Sequence, residues 1–217
     1  MRLTMNTKIR DIASLVFEKI YYLLTYSVIY VIALLMGLGF LTFAGGNILV
    51  YKLDSLLNAE RYKEKIKIFK FFKENIITYT RKYIKISLLY VSLLVIIAVD
   101  IFYFSTSINA VFNALFYLMI ILAFIIINSM AISFYLISQY DQMTFLAIAK
   151  NSISLVVVNI IDIILLNILL VLGGFLLNKI SPILLLIILP GLFINLSAYF
   201  YKKMLEKKSL TYLLFSL

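Results

Sequence analysis

The sequence predicts an all-α, polytopic transmembrane helical bundle of about five spans, with a basic amphipathic cytoplasmic elbow between the first two. Three observations carry that expectation. Five apolar blocks, 20–43, 86–104, 111–138, 153–177 and 181–200, are each long enough to cross a hydrocarbon layer ~30 Å thick at 1.5 Å rise per residue. Over 217 residues the chain is 64% hydrophobic and 14% charged, far from the globular balance of about 45–50% and 25%. The positive charge flanks the apolar blocks and largely avoids their interiors.

Ahead of the first block, Ile9, Ile12, Ala13, Val16 and Ile20 fall at helical spacing and predict an interfacial helix running into the span. The run is too long for a secretory signal and lacks a small-x-small cleavage site, so it is expected to remain as an anchor. Gly37, Gly39, Gly45 and Gly46 cluster near its end, which leaves open a re-entrant or sixth leg. Five spans is the preferred count.

The connection 44–85 holds half of the 20 Lys and Arg: Lys52, Arg61, Lys63, Lys65, Lys67, Lys70, Lys73, Arg81, Lys82 and Lys85. By the positive-inside rule it is cytoplasmic, and threading five spans from there makes the C-terminus cytoplasmic too. Leu49, Leu53, Leu56 and Leu57 form one helical stripe, with Asn47 as expected N-cap. Arg61–Lys67 marks a turn. Beyond it, Phe69, Phe72, Ile76, Tyr79 and Tyr83 repeat every 3–4 residues, while Lys70, Lys73, Arg81 and Lys82 occupy other faces. An aromatic face beside a lysine-rich one predicts a helix lying in the membrane interface. Two uses are open: an elbow holding the first span against the second, or a docking platform for a partner.

Two acids interrupt apolar blocks. Asp162 falls in the middle of the fourth, where an aspartate costs ~2.5–3.5 kcal/mol and must face protein or water. Asn159 shares its face, and Asn128 and Ser129 of the third block are candidate partners. Such a group either serves a function or fixes packing at ~0.6–2 kcal/mol. Asp100 lies one turn from the end of the second block, as an interfacial aspartate or a partner of Lys179.

Cys and His are absent, which excludes zinc sites, thiol nucleophiles and Ser-His-Asp triads. No phosphate-binding glycine loop or paired catalytic carboxylates appear, so no cofactor is expected and the chain reads as non-catalytic. The net charge of +10 reads as membrane orientation, with the lipid bilayer and not nucleic acid as partner.

The order of parts carries a resemblance. A first span leads to Thr42-Phe43-Ala44-Gly45-Gly46-Asn47, then a short helix ends Leu57-Asn58-Ala59-Glu60. Phe69-Lys70-Phe71-Phe72-Lys73-Glu74-Asn75 follows and runs into a span with Asp100 near Tyr103-Phe104, and Tyr135 to Tyr140 leads through Asp141 to Ala149-Lys150-Asn151. This layout resembles the YesL-like bacterial membrane proteins, a family of unassigned biochemical role. The resemblance implies a multi-pass bacterial cell-membrane protein of five spans, often encoded beside carbohydrate ABC-transporter genes, with no catalytic residues. The expected function is an accessory or regulatory component of solute, especially carbohydrate, uptake, with an ABC-transporter subunit or other membrane protein as partner. The alternative is a small transport component or proton-coupled carrier using Asp162.

Overall fold

A computed structural model of the chain describes residues 21, 24–25, 27–28, 31, 43–58, 68–106, 110–140 and 143–206. Nearly all of these residues are helical, with no strand among them. The helices are α1 (Phe43–Asn58), α2 (Ile68–Ser105), α3 (Ala110–Gln139), α4 (Phe145–Val158), α5 (Ile160–Ile180) and α6 (Pro182–Glu206). Three stretches among the described residues are long and apolar enough to cross a membrane: Lys70–Ser105, Ala110–Gln139 and Ile160–Ile180.

The expected third span coincides with α3, and the fifth lies within α6. The second is the C-terminal part of α2, whose 38 residues make a continuous rod about 57 Å long. The first span, with the amphipathic segment before it and Gly37 and Gly39, lies mostly outside the described residues, as does the turn at 61–67. The fourth span requires correction. The chain leaves the helix at Asn159 (φ −110°, ψ 36°), so 153–177 is shared between two helices and α5 alone has spanning length. The residues directly on either side, 155–158 and 160–161, are all apolar, so hydropathy does not register the break.

The elbow is also corrected. Its first helix, α1, is an interior element: Ala44, Ile48, Leu49, Val50, Tyr51 and Leu53 are all buried. Asn47 lies within the helix, its Nδ2 donating to Phe43 O at 2.7 Å, and does not cap it. Phe72, Ile76 and Tyr83 of α2 are buried in the same cluster, so the aromatic face predicted to meet lipid meets protein. Gly45 permits the contact: a Cβ there would lie 2.8 Å from Thr80 Cα.

The core forms one layer toward one end of the long rods. In α1, Ala44 N–H donates to Ser87 Oγ (2.9 Å), and the Phe43 and Phe134 rings meet edge to face at 5.6 Å. Tyr51 meets Tyr135 at 5.5 Å. In α4, Phe145 meets Tyr90 at 6.4 Å, Ser152 meets Ser133 at 2.9 Å, and Leu155 packs beside Ile132, Leu136, Tyr201 and Met204. All these anchors fall at 87–90 of α2, 132–136 of α3 and 201–204 of α6. With Gly45 against Tyr79 and Thr80 of α2 and Tyr51 bonded to Ser197 of α6, α1 and α4 pack toward the same end of the bundle. Beyond that layer the long helices turn large apolar side chains outward, with Phe102 73%, Val111 67% and Val171 70% exposed. Apolar surface so extensive is stable when hydrocarbon is the solvent.

Candidate functional site

The polar interior is built from hydroxyls and carboxamides that join helices. The first chain runs from Tyr90 of α2 to Ser133 of α3 (2.7 Å), from Ser133 to Ser152 of α4 (2.9 Å), and from Ser152 Oγ to Ala149 O (2.9 Å). Each hydroxyl has one proton, and this direction lets each donate once. Ser133 and Ser152 are fully buried, so the chain is closed from both water and lipid. Ser129 Oγ, one turn from Ser133, and Thr80 Oγ1 of α2 are buried without a hydrogen-bond partner among the described residues.

A second chain links α1 to α6: the Tyr51 hydroxyl meets Ser197 Oγ at 2.7 Å, and Ser197 donates to Phe193 O at 2.6 Å. Tyr51, Tyr135 and Tyr201 form a ring cluster about this bond, with centroids 5.5–6.4 Å apart. A third link repairs a helix defect. Pro190 lies inside α6 and has no N–H to give, and its ring crowds the preceding turn. The N–H of Gly191 is taken up by Ser27 Oγ of the first apolar block at 2.8 Å. Backbone polar groups freed in this way must find such a partner when water is excluded.

The predicted site residues fall in different places. Asn128 donates to Phe124 O at 2.8 Å, and its Oδ1 accepts from Asn167 Nδ2 at 2.9 Å. It thereby ties α3 to α5 through a residue not foreseen as its partner. Asn159 is buried at the helix break, with Nδ2 donating to Leu155 O at 3.1 Å. Asp162 lies in the first turn of α5, not mid-span, half-buried, where the positive end of the helix dipole favours a carboxylate. Hairpin register gives its depth. Gly173 opposes Leu192 and Gly174 opposes Leu189, so counting back along both helices brings Asp162 level with Lys202 and Lys203. That is the end of the bundle holding the core layer.

Asp100 is half-buried on α2, and among the described residues no ion pair joins it to Lys179, whose ammonium lies 5.5 Å from the Phe175 ring centroid. Lys70, Lys73, Arg81 and Lys82 are exposed on α2. Lys70 pairs with Glu74 at 3.7 Å, and Lys82 lies over the Tyr83 ring at 5.1 Å.

The hydroxyl chain escaped sequence reasoning, as did Asp54, which is 7% exposed in α1. Ser129 and Ser133, four apart in an otherwise apolar helix, were the legible signal, because small polar residues at that spacing mark helix contacts. The void among Ile132, Tyr135, Leu136, Leu155, Tyr201, Met204 and Leu205 is too small for a water.

Asp162→Asn is expected to lower stability by only about 0.3–1 kcal/mol, the size of a dipole term at a helix end. It should leave the proton permeability of reconstituted vesicles unchanged, read with a pH-sensitive dye. A large change in dye response would restore the carrier alternative. No protein-family model matches this chain, and neither a curated protein nor a solved structure is found to be similar to it.

Proposed function

We infer that this chain is a multi-pass membrane protein of about five spans that acts without catalysis, as an accessory or regulatory component bound to another membrane protein. One observation supports the reading: the bundle directs its polar side chains inward, helix to helix, and its large apolar side chains outward. Polar groups closed off in this manner specify packing, while the outward faces are available to lipid and to neighbouring helices. Lys70, Lys73, Arg81, Lys82 and Lys85 of α2 and Lys202 and Lys203 of α6 flank the same end of the bundle, in keeping with a cytoplasmic 44–85 segment and C-terminus. The resemblance noted in the sequence extends the proposal to a bacterial cell membrane and to carbohydrate uptake, with an ABC-transporter subunit as partner.

Purification in mild detergent from its native membrane is the test. A transporter subunit should co-elute in fixed proportion and be lost when outward apolar residues of α3, such as Tyr117 and Ile121, are replaced by alanine. Unchanged solute uptake in a strain lacking the gene would overturn the assignment.

A further inference from the structure

We propose that Arg81 and Lys82 form a binding site for the headgroup of an anionic phospholipid. The inference rests on the reading of 86–104 as a membrane span. If the hydrocarbon begins at Ile86, the continuity of α2 converts sequence distance into depth. Lys82 and Arg81 lie about 6 and 7.5 Å beyond that edge, and Lys73 and Lys70 about 20 and 24 Å beyond it. The headgroup layer of one leaflet is only ~5–7.5 Å thick. The four basic residues that share a sequence signature therefore divide: Arg81 and Lys82 are at phosphate depth, and Lys70 and Lys73 stand in water.

Local structure agrees with that division at Arg81. Lys70 already has a carboxylate neighbour in Glu74 at 3.7 Å, whereas no carboxylate among the described residues pairs with Arg81. Ile77, Thr78, Arg81 and Lys82 line a surface hollow of about 290 Å³. Their spacing, i, i+1, i+4 and i+5, places them on one side of the helix. The Tyr83 ring, 5.1 Å from the Lys82 ammonium, restricts where that cation can go. The Arg81 guanidinium offers a planar fork suited to two phosphate oxygens, and Lys82 supplies a second point charge. Thr78, one turn farther out at about 12 Å beyond the edge, lies past that layer and only flanks the site. Phosphatidylglycerol, an anionic diester, presents the phosphate that this pair of cations suits.

The full chain in mixed micelles of a neutral detergent is titrated with phosphatidylglycerol against phosphatidylcholine, and bound lipid is counted by native mass spectrometry. Wild type is expected to prefer phosphatidylglycerol, with the preference falling about fivefold for each cation removed in Arg81→Gln and Lys82→Gln. The control Lys70→Gln/Lys73→Gln, with the same charge change, should retain it. Inorganic phosphate at millimolar concentration should not displace the lipid; displacement would mean that a free anion is the ligand. Equal loss in Arg81→Gln/Lys82→Gln and in Lys70→Gln/Lys73→Gln, or no preference in wild type, overturns the site. Resistance to alkaline carbonate extraction reports separately on membrane spanning, so a protein that stays in the membrane without lipid preference refutes the headgroup site alone.

Discussion

Leucine in place of Gly45 is expected to prevent assembly of the bundle, and alanine to cost about 3 kcal/mol, at the upper end for overpacking a filled site. A Cβ at Gly45 would lie 2.8 Å from both Cα and N of Thr80 and 2.9 Å from the carbonyl carbon of Tyr79. All three are backbone atoms of α2, which cannot swing aside, so α1 must withdraw. Withdrawal breaks the Ala44–Ser87 bond and lifts Ile48, Leu49 and Tyr51 from their seats. Two other glycines calibrate the effect. At Gly173 the obstacle is Leu192 Cδ2 at 2.9 Å, the mobile end of a side chain, so alanine there should cost less. At Gly174 the neighbour is Leu189 Cδ1 at 3.6 Å, an ordinary contact, and alanine should be neutral or stabilising because it gains up to ~1 kcal/mol of helix propensity. Thermal unfolding in detergent, followed by size-exclusion chromatography of the surviving monodisperse fraction, should rank the variants Gly174→Ala, Gly173→Ala, Gly45→Ala from most to least stable. Gly45→Ala as stable as wild type would mean that α1 and α2 do not touch in this way.

The legible and illegible parts of this molecule separate along physical lines. Hydrocarbon thickness dictates the length of an apolar run, so the positions of α3, α6 and the C-terminal part of α2 could be read from hydropathy. Periodicity identified the face bearing Phe72, Ile76 and Tyr83, but an apolar face is the same sequence object whether lipid or protein covers it. The cover is α1, whose leucine stripe marked one apolar face but not that Asn47, Val50, Tyr51 and Asp54 on its other faces are buried as well. The break at Asn159 was hidden because asparagine is tolerated in a helix and favoured at a cap, and because its neighbours at 155–158 and 160–161 are all apolar. That single misplaced boundary moved Asp162 from a helix end to a span centre. The serines and tyrosines of the buried chains were missed for a related reason. A hydroxyl at a lipid-facing position can bond its own helix at i−4, so its type does not reveal whether it crosses to another helix.

Tyr51→Ala is expected to destabilise the protein by about 3–5 kcal/mol, the range for deleting a large buried ring. Tyr51 is 1% exposed and holds three helices together: its ring meets Tyr135 of α3 at 84° and Tyr201 of α6 at 51°, and its hydroxyl bonds Ser197. Truncation leaves a hollow among groups fixed by their own backbones, so little collapse can fill it. Tyr51→Phe separates the ring from the hydroxyl. It removes one bond worth about 0.5–1.5 kcal/mol, toward the lower end because Ser197 still donates to Phe193 O. Tyr117, 65% exposed on α3, supplies the contrast, since its replacement by alanine creates no enclosed hollow and should shift stability by roughly 0.5 kcal/mol or less. The three variants thus test where the core is, not only whether one exists. A uniformly lipid-filled bundle would make Tyr51 and Tyr117 equivalent, and equal unfolding temperatures for their alanine variants would refute a core layer built across α1.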